Sequence, residues 1–387
     1  MGQVNPVYAA MDTTIFEHMS GLARALGAIN LGQGFPDEAG PPDLIAAAAR
    51  ALVERSNQYP PGAGLPELRD AVAGFYLRRQ GLDFSREDVI VTSGATEAIA
   101  AAILALVSPG DEVILFQPAY DAYAPMVRRS GGVPVSVALA PPEWRYDIAS
   151  LERALTERTR LLILNDPLNP AGTVAGEAEL AAIAGLCVRR DLWAICDEVW
   201  EDVRFDGAAH RSLAGFPGMA GRAVKIGSAG KLFGLTGWKI GWMCARGEVA
   251  QGLARAHQFL TYTSPPALQW AVAEGLGKAD EWFAAQRGAW AASRARLKHG
   301  LEAAGYAVLP NAATWFLCVD LAASGIALDD RAFSERAVRE AGVASIPVSA
   351  LFEGDGPRHI VRFCFTKADA MLDEAAERLA VFRRTLV

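Results

Sequence analysis

The sequence predicts an α/β protein: a large, mostly parallel sheet covered by helices on both faces, followed by a smaller α+β unit near the C-terminus. Three observations carry that reading. Between about residues 45 and 290, short continuously apolar runs alternate with helix-patterned segments, which is how strands buried on both faces read. Beyond Glu281 the pattern changes to one long helical stretch and a few shorter strands. The polar residues with evident chemistry directly follow the apolar runs, and in parallel sheets the ligand lies beyond the carboxyl ends of the strands.

Taken in order, Asp88 to Thr92 reads as a strand and the Ala-rich stretch Thr96 to Val107 as the helix after it. Glu112 to Phe116 is the next strand, followed by a helical stretch around Ala122 to Arg129. Leu161 to Leu164 and Leu192 to Cys196 repeat the theme on either side of a helix over Glu177 to Arg190. The run Ala223 to Ile226 adds a further strand. Past Glu281 a helix extends to about Ala304, with strands over Trp315 to Asp320 and His359 to Phe365. A terminal helix runs from about Ala368 to Leu386. The Pro and Gly cluster from Pro60 to Gly64 marks a loop rather than a domain boundary. The expected division is an N-terminal arm (1–44) joining the small domain, a large domain (45–288) and the rest of the small domain (289–387).

Composition narrows the partners. A formal net charge of -7 with no basic stripe argues against nucleic acid. The longest apolar run, Ala98 to Val107, is too short to cross a bilayer. No charged-then-apolar leader opens the sequence, and Pro6 stands where a myristoylation signal wants Ser or Thr. The five cysteines have neither paired nor metal-ligand spacing, so no metal site is expected. Four of them lie in or beside strand-like runs and read as reduced core thiols, pointing to the cytoplasm.

The chemistry centres on Lys231, a lysine among small residues in Ser228-Ala229-Gly230-Lys231. A free amine has a pKa near 10.4, so a nucleophilic one must be desolvated or lie near positive charge, and Lys239 is placed to supply that charge. The stretch does not fit a nucleotide P-loop: Lys225 stands at its first Gly and Leu232 follows the lysine. Asp197 follows a strand and would pair with a pyridine nitrogen, keeping it protonated and electron-withdrawing. Asn165 also follows a strand, and the stretch Asn165 to Gly172 would supply an amide for a phenolate oxygen. Ser93-Gly94-Ala95-Thr96 bridges a strand and a helix, offering amides and a helix N-terminus to a dianion. Ser228 and Lys239 add a hydroxyl and a point charge. Tyr120 would stack on the pyridine face, and Arg362, alternating out of an apolar strand, would clamp a carboxylate. An amine for a Schiff base, a carboxylate for a ring nitrogen and a phosphate cradle together describe a site for pyridoxal phosphate.

In order and spacing these motifs resemble the class I aminotransferases, fold type I among pyridoxal-phosphate enzymes. They are most similar to the branch with kynurenine, methionine and N-succinyldiaminopimelate aminotransferases. The resemblance covers nearly the whole chain, through Asn30 to Asp37, Asn57 to Pro60, Val91 to Glu97, Ser228 to Lys231, Gly237 to Trp242, Ala344 to Ser349 and the Arg362 strand. It implies that the Gly34 backbone and Asn169 reach the substrate carboxylate beside Arg362, and that Phe16 packs on the substrate side chain. It also implies that Tyr59 reaches the phosphate in the other subunit of a homodimer with shared active sites. The implied substrates are an amino acid and a 2-oxo acid.

Some positions depart from the family pattern. Trp200 stands where a tyrosine normally donates to the cofactor's O3′, Ala171 replaces a threonine, and Ala119 and Asp166 are unusual at their places. Loss of the tyrosine donor is expected to raise the pKa of the lysine–cofactor linkage. Transamination is therefore the leading expectation, with Lys231 as the general base. The alternative keeps the cofactor but ends in β/γ-elimination or in replacement with C–C bond formation. A cofactor-sensing regulator would need an appended DNA-binding module, and the sequence opens almost directly on the catalytic region. Phe16, Tyr120, Tyr123 and the region around Tyr262 are expected to line an apolar substrate pocket.

Overall fold

A computed structural model describes residues 4–387. Seven strands form the central sheet: β1 (Val89–Ser93), β2 (Glu112–Gln117), β3 (Val133–Ala138), β4 (Thr159–Asn165), β5 (Trp193–Asp197), β6 (Ala223–Ser228) and β7 (Ile240–Cys244). Their order is β1-β7-β6-β5-β4-β2-β3. All pairings are parallel except those of β7, which runs against both β1 and β6.

The main helices, in chain order, are α1 (Ile15–Leu26), α2 (Pro42–Glu54), α3 (Pro66–Gln80), α4 (Gly94–Leu106) and α5 (Tyr123–Arg129). They continue with α6 (Glu177–Arg190), α7 (Gly247–Gln258), α8 (Pro266–Leu276), α9 (Asp280–Ala303) and α10 (Asp369–Arg383). Alternation along each strand sends side chains to two cores. Val113, Leu115, Ile163 and Ile195 pack with Ile99 and Ile103 of α4. Ile114, Leu162, Ala194 and Cys196 pack with Leu180 and Ile183 of α6. At the β1–β7 end, Val91 and Trp242 meet Phe75 of α3 and Val272 of α8. Helices cover both faces, as continuous apolar strands require.

The C-terminal region carries an antiparallel sheet of β8 (Ala307–Val308), β9 (Phe316–Asp320), β10 (Ile346–Pro347) and β11 (Ile360–Cys364), in the order β10-β11-β9-β8. The N-terminal arm joins it: Ile29–Asn30 pairs in parallel with Val343–Ala344, and Met19 and Ala23 of α1 pack on Val338, Ala344 and Ile346. Helix α9 runs unbroken past residue 288, so the expected boundary falls within a continuous helix. All five cysteines are free and buried. Among the described residues, no helix is long and apolar enough to cross a membrane.

This architecture places the polar residues together. Ser93, Asn165, Asp197 and Ser228 are the last residues of β1, β4, β5 and β6. Lys231 follows β6 in a single helical turn, Ala229–Leu232. Arg362 arrives from the middle of β11, an interior strand of the small sheet, and is buried rather than half-exposed on an edge.

Candidate active site

A cavity of about 570 Å³ opens where the strand ends of the large sheet face the small sheet. Its walls include Phe16, Gly34, Gly94, Ala95, Thr96, Tyr120, Asn165, Asn169, Asp197, Trp200, Ser228, Lys231, Lys239 and Arg362. Of the residues singled out in the sequence for the cofactor and the substrate carboxylate, Ser93 stands just behind the wall and Tyr59 lies elsewhere. It is 83% exposed and stacks edge-on against Tyr262, their ring centroids 5.6 Å apart.

The floor is built around two ionisable groups. Burial pushes the Lys231 amine down to about 8, with Arg362 and Lys239 lowering it further and Asp197 opposing. Of the two causes that the sequence left open, desolvation is the main one and the Lys239 charge a minor one. Its Nζ donates to the carbonyl of Gly34 at 3.3 Å and lies 5.0 and 5.2 Å from the ring centroids of Trp200 and Trp315. Asp197 accepts a hydrogen bond from the Tyr123 hydroxyl through Oδ2, while its Oδ1 is buried with no partner. Burial raises its pKa, against the effect of the Tyr123 bond. Tyr123 therefore does not line the cavity as expected; it is buried behind Asp197 and fixes that carboxylate. No spacing rule links positions 123 and 197, which meet only because β2 and β5 end at one edge.

Asn165 bridges two partners. Its Nδ2 donates to the Asp197 carbonyl at 3.0 Å, and its Oδ1 accepts from the Asn169 backbone at 3.0 Å. Asn169 Oδ1 in turn accepts from Arg362 Nη1 at 3.1 Å. Arg362 Nη2 donates to the Gly32 carbonyl at 2.5 Å, the guanidinium carbon stands 3.9 Å from the Phe316 ring centroid, and Nε is buried without a partner. Burial pushes the Arg362 pKa down to about 10. Gly34 is required at its position, since a Cβ there would lie 2.6 Å from Phe316 Cζ.

At the other end, Gly94 has φ +74 and opens α4 against Lys239, whose Nζ would stand 3.3 Å from a Cβ on that glycine. Lys239 itself has φ +53. Gly241 of β7 backs onto this turn so closely that a Cβ would fall 2.7 Å from the Gly94 carbonyl carbon. Thr96 Oγ1 and the Tyr120 hydroxyl are 3.4 Å apart. Backbone amides at a helix N-terminus, a lysine head group and the Ser228 side of the cavity together make a cradle for a dianion.

The sequence matches the family described as aminotransferase class I and II over residues 27–379. The chain belongs to the class I and II aminotransferases. This aminotransferase is 47% identical over 381 residues to a Mycobacterium tuberculosis protein named as a probable N-succinyldiaminopimelate aminotransferase, DapC, covering 95% of the chain and 96% of the relative. It is 40% identical over 370 residues to the methionine aminotransferase of Escherichia coli K12, covering 95% and 96%. The solved structure of N-succinyldiaminopimelate aminotransferase from M. tuberculosis superposes with a TM-score of 0.94 over 98% of this chain and 100% of that one. The aminotransferase is pyridoxal-phosphate-dependent and moves an amino group between an amino acid and a 2-oxo acid. Elimination or replacement chemistry finds no support among these relatives.

Several wall and supporting residues carried no signal in the sequence. Asp121, Gln33, Thr14 and Phe316 also line the cavity. Behind Asp197 and Trp200, Glu198 and Glu201 point the other way, into a buried cluster. Lys225 pairs there with Glu198 and, at 2.7 Å, with Glu201, while Ser212 donates to Glu198 at 2.8 Å and Tyr76 to Glu201 at 2.9 Å. In the sequence Asp197 and Trp200 stood out, but neither of these carboxylates nor their buried lysine partner did.

Proposed function

We propose that the aminotransferase uses Lys231 as its catalytic amine and Asp197 as the partner of the cofactor's ring nitrogen. The observation that carries this reading is the unpaired, buried Oδ1 of Asp197 in the same cavity as a desolvated lysine amine. Pyridoxal phosphate, when bound, withdraws electrons from the substrate's α-carbon and stores the amino group between half-reactions. Gly94, Ala95, Thr96, Ser228 and Lys239 would hold its phosphate, Tyr120 would stack on its ring, and Asn165, Asn169 and Trp200 would contact it near O3′. Lys231 Nζ would take the proton from the substrate's α-carbon as general base and give it back once the nitrogen's bonding has shifted. Arg362 binds the substrate carboxylate with its Nη and Nε donors, oriented by Asn169 and Gly32. Phe16 packs on the substrate side chain.

The remaining walls support a donor with a neutral side chain. Arg362 is the one arginine lining the cavity among the described residues, and Asp121 sets a carboxylate opposite it. We further propose a division into a large domain (45–288) and a small domain formed by 289–387 with the arm 1–44. Two copies assemble as a homodimer, each lending Tyr59 to the other's site. Five reduced cysteines favour the cytoplasm.

The deciding experiment adds single amino acids to cofactor-loaded protein with no oxo acid present, following absorbance. Release of one equivalent of 2-oxo acid per site, with the amino group retained on the cofactor, is the expected result. Release of ammonia with the cofactor unchanged would overturn it.

A further inference from the structure

Helix α7 carries His257 near its end, with the imidazole buried beside the start of α4. Its Nδ1 lies 2.8 Å from Glu97 Oε1, and its Nε2 lies 2.9 Å from the carbonyl oxygen of Gly62. Glu97 Oε2 accepts from the Ser93 backbone N–H at 2.8 Å. A carbonyl oxygen only accepts, and an ionised carboxylate only accepts, whereas a neutral imidazole has a single N–H. Both contacts are satisfied together when the ring carries two protons. Burial pushes the pKa of His257 down, but the hydrogen bond and charge of Glu97 outweigh it and the net shift is upward.

The ring therefore joins two segments. One is the turn Ser93–Thr96 that begins α4; the other is the loop Pro60–Gly64. That loop already grips β1 one step earlier, where the Val91 N–H donates to the Ala63 carbonyl at 3.0 Å. Gly64, at φ +99, lies so close that a Cβ would come within 2.4 Å of Val91 Cγ2. The end of β1 is thus held directly at Val91 and, through Glu97 and His257, at Ser93. None of these groups lines the cavity, yet Gly94, Ala95 and Thr96 follow Ser93 directly.

We propose that His257, as an imidazolium paired with Glu97, is a positioning residue for the phosphate-binding turn Ser93–Thr96. The proposal rests on assigning that turn to the cofactor's phosphate. It acts through backbone placement: the Glu97 carboxylate caps Ser93, and His257 fixes that carboxylate against the loop. Losing the ring frees the carboxylate to swing, and the amides of the turn lose their fixed aim.

The test compares binding of pyridoxal phosphate and of unphosphorylated pyridoxal to the cofactor-free, full-length protein, for wild type, His257→Gln and Glu97→Gln. Each variant should weaken pyridoxal phosphate by about tenfold, the worth of one charged hydrogen bond, while pyridoxal changes less than about twofold. Equal weakening of both ligands would mean a general structural role, and unchanged binding of both would mean none; either overturns the proposal. Wild type that fails to prefer the phosphorylated ligand would instead overturn the assignment of the turn itself. Should His257→Gln not fold, Glu97→Gln keeps the comparison, since it preserves shape while removing the charge that holds the imidazolium.

Discussion

The Lys231 amine shows how two opposing forces on one atom are resolved. The rings of Trp200 and Trp315 near Nζ favour the ammonium form by cation–π attraction, worth about 0.5–2 kcal/mol each. Burial favours the neutral amine, and burial wins, because the pKa falls to about 8. Only the neutral amine is a nucleophile. The rate of cofactor capture by cofactor-free protein should therefore rise about tenfold per pH unit below 8 and level off above it. Stopped-flow mixing across that range checks this, and a flat profile would count against a desolvated Lys231. Trp200 offers a second test. It meets Trp315 and Phe316 edge-on, at centroid separations of 5.0 and 5.4 Å, and supplies no phenol to the cavity. Trp200→Tyr should lower the pKa at which the bound cofactor changes colour by about one to two units, the worth of one hydrogen bond to a charged oxygen. Identical titrations would show that the indole already fills that role.

Strands and helices set these residues in place, and their tolerances are narrow. A methyl on Gly241 would press into the backbone of Gly94 and Ala95, which cannot yield as a side chain tip could. Gly241→Ala should cost about 1–3 kcal/mol of stability and weaken cofactor binding, read by thermal melting and by titration. On the opposite side of β6, Lys225 neutralises two buried carboxylates. Although burial pushes Glu198 up, Lys225 and His210 hold it down to about 2. Lys225→Met leaves both carboxylates without their lysine counter-charge and should destabilise the fold by about 3–5 kcal/mol, with Glu198→Gln and Glu201→Gln added together restoring most of it. Elements of this kind were legible in the sequence to different degrees. The helix over Glu177–Arg190 is where its pattern placed it, and β2 and β5 differ by a residue at their ends. Strand β3 gave no apolar run because, at an edge that no helix fully covers, its Val133, Ser136 and Ala138 are exposed. Strand β7 was readable as a motif but not in direction, because a continuously buried strand looks the same run either way. Asn165, Asp197, Ser228 and Lys231 were legible because each ends or closely follows a strand. Tyr123, His257 and Lys225 were not, because each acts through a partner far away in sequence.

At the scale of the whole molecule the Tyr59–Tyr262 pair is exposed and lies outside the cavity that a single chain forms. If two copies share sites, Lys231 and Tyr59 of one functional site come from different chains. Lys231→Ala and Tyr59→Ala proteins should each be impaired, yet hybrids formed by co-expression should contain one site with both native residues. Activity would then recover to about one quarter of wild type when the two variants assort randomly. No recovery, with dimers confirmed by sedimentation, would place each complete site within one chain.

The hydrogen bond from Arg362 to the Gly32 carbonyl spans 330 residues of sequence. Ribosomes make chains from the N-terminus, so Gly32 waits for nearly the entire polypeptide before its partner emerges. Asp197, Lys231 and the turn Ser93–Thr96 have all been synthesised by residue 239, while Arg362 has yet to be made. With the roles proposed above, a growing chain on this plan carries the residues for its cofactor before it carries the arginine for its substrate.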